Sequence, residues 1–307
     1  ISPSNTNPCL TKDIAGCSYH PQDLRTSGKP NNYFRVVATD DLQGPAMADY
    51  AYKVLNIKKI GVMDEKTVFG IGIANAFEEQ FKKDGGESKR LSFDPATTTD
   101  WRSILDNFKS FGATAIYSGG TDDQGACKPR GQMADKGIAS WPYLGGDGIE
   151  TSQCIDDAGT SADGVSATTA GAEAAQIPEA KSVIQDFKKT FTDPNAYGSY
   201  TMSAFDAASI EIAAIKKALD AGKDPKKVNE FREAVRANVA STSNFKGVLG
   251  NTTFDKNGDT SAKIISIYGV KKVDDAKVKA GDLTCGKAGG PNANFCFEWV
   301  KQINFGA

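Results

Sequence analysis

The sequence predicts an α/β protein on a doubly wound, mostly parallel sheet, with the chain leaving one α/β unit for a second and then coming back. Three observations predict it. Short apolar runs alternate with helical patterns from Tyr33 to Thr168, the order expected of a parallel sheet with crossover helices. Several runs are continuous rather than alternating, Ile60 to Met63 among them, as in strands buried on both faces. Strand ends also carry glycine-rich or polar loops: Asp64 to Phe69, Ser118 to Thr121, and Gly145 to Gly148. In open α/β sheets ligands bind at the carboxyl ends of strands, so these loops are the first place to look for a site.

Taken in order, Ile1 to Pro8 reads ISPSNTNP. Its small residues leave N–H groups and hydroxyls free to face a ligand, although a plain surface loop has the same composition. Residues 9 to 32 are irregular. Phe34 to Val37 reads as a strand that ends at Thr39-Asp40-Asp41. Gly44-Pro45 opens a helix with proline near its first turn, where a missing N–H costs nothing, and Met47, Tyr50, Ala51 and Leu55 recur at helical spacing. After the strand Ile60 to Met63, a helix over Phe69 to Lys83 places Ile73, Ala74, Phe77 and Phe81 on one face. Leu91 to Phe93 is a strand. A helix from the cap-like Thr99-Asp100 to Phe111 follows. Ala113 to Tyr117 is a buried strand, and residues 121 to 136 read as a helix interrupted by Cys-Lys-Pro-Arg. Trp141 to Leu144 is a strand, a short helix lies near Gln153, and Val165 to Thr168 is a strand. From residue 170 the character is helical: Pro178 to Phe191, Met202 to Ala221 and Pro225 to Asn238. Then come a strand-turn-strand over Phe245 to Val270, with the turn at Asp255 to Asp259, and an aromatic-rich strand at Phe295 to Val300.

The 307 residues suffice for one large or two ordinary domains. Charged residues make up 24% and the net charge is −2, so nothing favours nucleic acid or an anionic membrane. No apolar run approaches the ~18 residues that cross a bilayer, and no signal peptide is recognisable; a mature exported chain reads the same way. Six cysteines without a Cys-x-x-Cys, and a single histidine, His20, argue against zinc and for an oxidising compartment. Sequence proximity favours Cys9–Cys17 and Cys285–Cys296, which leaves Cys127–Cys154, among the 15 connectivities six thiols allow.

Catalytic motifs are missing. Gly-x-Ser-x-Gly, the P-loop and His-Glu-x-x-His do not occur, and Gly70-Ile71-Gly72 lacks the third glycine of a dinucleotide loop. His20, in a proline-rich irregular stretch, reads as a surface or packing residue. Asp255 to Asp259 hints at a calcium loop, but its glycine is fourth rather than sixth and position twelve is Ser266; a turn is the better reading. Asn251-Thr252-Thr253 matches a glycosylation sequon, a weak pattern. Asp147, between glycines after a buried strand, is a narrow spot for a carboxylate, either ligand-facing or an ordinary loop residue. Phe69 alone reads equally as core.

In register, the motifs ISPSNTNP, FRVVATDDLQGP, VMDEKTVFGIG, IYSGG and YLGGDGI resemble the type I periplasmic binding proteins of branched-chain amino-acid ABC transporters, the Leu/Ile/Val-binding family. The resemblance implies two α/β lobes, each a doubly wound, mostly parallel sheet flanked by helices. They are joined by three crossovers and close over an amino acid by a hinge. Lobe one is residues 1–38 and 169–250; lobe two is 39–168 and 251–307. It implies a periplasmic, monomeric, non-catalytic receptor without cofactor or metal, delivering a branched-chain or other apolar amino acid to a membrane permease. A sensory module of the same fold, or a receptor for an amide or an aromatic acid, is the alternative. The Ser4 carbonyl would meet the ligand ammonium, and the Thr6 N–H and hydroxyl its polar head. Phe69 stands where the family has a tyrosine, and keeps the apolar face without the phenol. Asp147 stands where the family pairs an acid with the ammonium, and Tyr200 matches an aromatic of the side-chain pocket. Thr121 replaces another aromatic, which opens room for a different or larger ligand. Family members carry a stretch before the ISPSNTNP motif that supplies the first strands of lobe one and a serine loop for the carboxylate. Without it lobe one has an incomplete sheet and an exposed edge, so the expectation is that this sequence is part of a longer protein.

Overall fold

The computed structural model describes residues 1–15, 17–25, 28–193, 196–280 and 283–306. The strands are β1 (Lys59–Asp64), β2 (Glu87–Ser92), β3 (Ile116–Gly119), β4 (Tyr143–Gly145), β5 (Val165–Thr169), β6 (Phe245–Gly247), β7 (Gly250–Thr252), β8 (Ile264–Lys272) and β9 (Phe295–Asn304). The helices are α1 (Asp40–Asp49), α2 (Val68–Lys83), α3 (Arg102–Phe111), α4 (Lys128–Gln132), α5 (Ser152–Ala158), α6 (Pro178–Thr190), α7 (Thr201–Asp220), α8 (Val228–Ala240) and α9 (Asp275–Ala280). The fold is two-lobed. One lobe holds a seven-stranded sheet in the order β2-β1-β3-β4-β5-β8-β9. The first five strands are parallel, and β8 and β9 join antiparallel. In the other lobe α7 and α8 pack on Phe34 and Phe254, beside the hairpin β6–β7.

The sheet lobe forms where apolar periodicity is strongest. In α2, Ile73, Ala74, Phe77 and Phe81 fall at helical spacing and are fully buried. Thr67 caps the helix by accepting from the Gly70 N–H at 3.0 Å, and Lys82 and Lys83 close it where the helix dipole favours cations. Phe77 stacks on Tyr117 of β3 with ring centroids 3.8 Å apart. The opposite face buries Leu105 and Phe108 of α3 with Ile116, Tyr143 and Phe297. The Cys127–Cys154 bridge lies in that core, and the other bridges join Cys9–Cys17 and Cys285–Cys296, the pairing that proximity favours.

Several local expectations fail for identifiable reasons. Phe34 to Val37 is not a strand; only Arg35 bridges, to Ser2 and to Asp259. The helix expected from Gly44-Pro45 begins at Asp40, so Pro45 sits inside it. Gly44 is needed there for close packing rather than for a cap: a Cβ would fall 2.6 Å from the Phe77 backbone nitrogen. A π-helical turn over Tyr50–Val54 follows. The helix expected at Thr99 starts at Arg102, whose N–H is taken by the Asp100 carboxylate at 2.9 Å. Residues 121 to 136 break into 3-10 turns around the short α4, where Cys-Lys-Pro-Arg interrupts the pattern. The turn at Asp255 to Asp259 joins no strand pair; it links the isolated bridge Phe254–Thr260. Val37, Ala38, Ala46, Ala170 and Ile265 form one buried cluster.

Candidate functional site

The loops at the carboxyl ends of β1, β3 and β4 face the other lobe. Asp147 opens a 3-10 turn, Asp147–Ile149, directly after β4. Its Oδ2 accepts from Tyr200 Oη at 2.7 Å, and its Oδ1 from Gln43 Nε2 at 2.8 Å. Tyr200 precedes α7 and belongs to the other lobe, so this contact spans the cleft. The same Gln43 amide donates to Asp40 Oδ1 at 3.1 Å. The Asp40 N–H in turn donates to the Thr6 carbonyl at 2.9 Å, and the nearby Thr6 side chain favours the charged form of its carboxyl. One polar chain therefore runs Thr6–Asp40–Gln43–Asp147–Tyr200.

Its electrostatics are unusual. Among the described residues no lysine or arginine forms an ion pair with Asp40, Asp147 or Glu150. Burial, and then the neighbouring Asp147 charge, push the Asp40 carboxyl from 3.8 up to about 7. Burial likewise raises Asp147, with Tyr200 and Gln43 opposing. Glu150 is pushed up to about 7 by burial and accepts from the Thr169 hydroxyl. The buried Gln43 Oε1 has no hydrogen-bond partner. These are acceptors in excess of donors, an arrangement that favours a cationic N–H group.

Phe69 and Thr121 converge beside Asp147. A Cβ placed on Gly148 would lie 3.1 Å from the Phe69 ring and 3.0 Å from Thr121 Cγ2; only glycine leaves that space open. The structure thus brings together Thr6, Phe69, Thr121, Asp147 and Tyr200. Ser4 lies apart: it is exposed, and its N–H donates to Ser2 Oγ at 3.4 Å. A crevice of about 290 Å³ opens between the Cys9–Cys17 loop and α2, with Asp40 and Asp41 in its walls.

Sequence reasoning missed Asp40, Gln43 and Arg35. Asp40 and Gln43 lie three apart on the first turn of α1, a spacing that puts both side chains on one face; reading the helix from Gly44 hid them. Arg35 is fully buried. It donates from Nε to Asp259 Oδ1 at 2.6 Å, from Nη1 to the carbonyls of Asn5 (3.0 Å) and Asn7 (2.8 Å), and from Nη2 to the Thr11 hydroxyl. That fork fixes the loop around Thr6. Its partner Asp259 is 224 positions away, beyond any local signal.

A periplasmic binding protein family model matches residues 14–275. Leu/Ile/Val-binding protein homolog 3 of Brucella melitensis is 30% identical over 258 residues, covering 83% of this chain and 65% of that protein. An amino acid binding protein of Pseudomonas aeruginosa is 28% identical over 87% of this chain and 64% of its own length. The chain therefore spans slightly less than two thirds of these relatives. The crystal structure of the leucine binding protein LivK of Thermotoga maritima superposes with a TM-score of 0.72 at 25% identity, covering 99% of this chain and 72% of that one.

Proposed function

The chain belongs to the periplasmic binding protein family, and from that premise we propose that it is an extracytoplasmic receptor that captures a small apolar α-amino acid between its lobes and delivers it to the permease of an ABC transporter. The single observation that carries the reading is Asp147, a carboxylate without a cation at the meeting of the two lobes, held by Tyr200 from one and Gln43 from the other. The ligand ammonium supplies the missing charge, because a buried carboxylate is costly unless paired. Thr6 and its loop take the polar head. Phe69 and Tyr200 line the apolar side chain, and Thr121, smaller than an aromatic, widens that end. Ser4 takes part through its carbonyl once the lobes close on the ligand. Residues 1–38 and 169–250 form one lobe and 39–168 and 251–307 the other, except that the turn over residues 254–259 packs with the first, and the buried cluster at Val37, Ala38, Ala170 and Ile265 serves as the hinge. The names of the two relatives and of the Thermotoga structure, all amino-acid or leucine binders, support the ligand class.

The chemistry of binding follows from charge. Micromolar affinity is about −8 kcal/mol, and losing one partner of a buried charge pair costs about 2–5 kcal/mol, so a single ionic contact decides whether binding is measurable. A thermal-shift screen of α-amino acids, their amides and aromatic acids tests the reading. Stabilisation by free apolar amino acids is expected. Stabilisation by aromatic acids alone contradicts it, since they lack the ammonium that Asp147 answers.

A further inference from the structure

Glu65 takes no direct part in the cleft described above, yet it is among the most buried acids in the protein, 2% exposed. It stands at the end of β1, where its N–H donates to the Gly119 carbonyl at 3.2 Å. Its two carboxylate oxygens reach in different directions. Oε1 accepts from the Thr67 hydroxyl at 2.7 Å, and that hydroxyl caps α2 two residues before Phe69. Oε2 accepts from the Thr121 N–H at 2.7 Å. Between them lie Gly70 and Gly120. A Cβ on Gly120 would fall 2.5 Å from Glu65 Oε2, and one on Gly70 2.8 Å from Glu65 Cγ. Nothing larger than glycine lets the carboxylate sit there. Lys66 adopts a left-handed backbone, φ 59°, so the turn is costly unless the surroundings hold it.

We infer that Glu65 is a positioning residue for ligand selectivity: its carboxylate clamps the capped first turn of α2, which carries Phe69, to the loop that carries Thr121, and so fixes the width of the pocket's apolar end. The inference deepens the amino-acid reading of the cleft and rests on it for selectivity. The clamp itself can be read without ligand. The geometry explains how a buried acid with no ion-pair partner among the described residues is accommodated. A backbone N–H and a hydroxyl from two different strand ends need one acceptor each, and a carboxylate offers both. Burial raises its pKa, in line with an acid held by hydrogen bonds alone. Glutamine keeps the Thr121 N–H contact through its oxygen and can meet Thr67 only with the direction reversed, its amide donating to the hydroxyl oxygen; alanine keeps neither.

The test compares wild type, Glu65→Gln and Glu65→Ala on the full chain. Amide exchange followed by NMR without ligand reads the clamp. Calorimetric titration with alanine, valine, leucine and phenylalanine reads selectivity. Glu65→Ala should speed exchange of the Thr121 amide roughly tenfold or more and shift the affinity ratio of the largest to the smallest ligand by about tenfold. Glu65→Gln should restore both toward wild type. Unchanged exchange at Thr121 in Glu65→Ala overturns the clamp. Faster exchange with an unchanged affinity ratio overturns the selectivity role. If wild type binds none of the four amino acids, the amino-acid reading falls, and with it the selectivity role, while the exchange arm still decides the clamp.

Discussion

The two lobes solve the problem of burying apolar surface to different degrees. In the sheet lobe Phe77, Phe81, Phe108 and Ile60 are fully buried between helices and seven strands. In the other lobe the described residues offer only the two-stranded β6–β7 and isolated bridges, and α7 leaves Phe205, Ile212, Ile215 and Leu219 in water, Ile212 at 66% exposure. Apolar burial contributes about 25 cal/mol per Å², so the sheet lobe draws its stability from packing. The other lobe leans instead on the Arg35–Asp259 pair and the Cys9–Cys17 bridge. The proposed site draws on both halves: Asp147, Phe69 and Thr121 stand on the better-packed half, Thr6 and Tyr200 on the other.

Arg35→Met is the hardest blow to this contrast. It leaves Asp259 unpaired and frees the Asn5 and Asn7 carbonyls, at a cost of about 3–5 kcal/mol. Amide exchange should rise around residues 1–38 and in α7 and α8 while the sheet core stays protected. Equal loss in both lobes would erase the distinction. Replacing the Cys127–Cys154 pair by alanines, at a separation of 27 residues, should lower sheet-lobe stability by about 3.5 kcal/mol on the chain-entropy account. Loss of Cys9–Cys17, separation 8, should cost about 2.5. Urea melts of the two double mutants give the comparison.

Where the lobes meet, stability should depend on pH with an uncommon sign. The folded protein holds protons on Asp40 and Glu150 up to about pH 7, whereas the same groups ordinarily release them at 3.8 and 4.5. The native state therefore binds more protons across that window, and stability falls as pH rises from about 4.5 to 7. Asp64, Glu78 and Asp84 have lowered values and are already ionised there, so they do not offset the trend. Melting of the ligand-free protein should weaken by an amount on the order of a few kcal/mol. Affinity for an amino acid should rise over the same window, since the ammonium prefers the ionised pair. A flat profile between pH 4.5 and 7 would contradict the buried acids' raised values. The smallest effect belongs to Ile212→Gln, which should change stability by less than about 0.5 kcal/mol, against about 3–5 for Phe77→Ala; paired melts check the contrast.

What could be read from the sequence follows the same division. The β1–α2 unit was legible because a continuous apolar run and a 3.6-residue period are local signals, and the disulfides because two of the three close short loops. The parallel order of five strands followed from β/α alternation, but the antiparallel return of β8 and β9 did not, since strand direction leaves no mark on a run such as Phe295 to Val300. Phe34 to Val37 looked like a strand and is a single bridge, because its pairing depends on Ser2 and Asp259 rather than on its own residues. In the site, Asp147 stood out for its flanking glycines. Gln43, which joins Asp147 to Asp40, did not, because what it does is set by a partner 104 positions away. Local chemistry was readable; the wiring between distant loops was not.

On the proposed reading, Asp147 answers the positive end of a zwitterion held between the lobes. Calorimetric titration of the most stabilising amino acid into wild type, Asp147→Asn and Asp147→Ala at neutral pH tests it most directly. Asp147→Ala should lose about 2–5 kcal/mol of binding, and Asp147→Asn, which keeps the shape without the charge, should also lose substantially. Binding by both variants within twofold of wild type would contradict it.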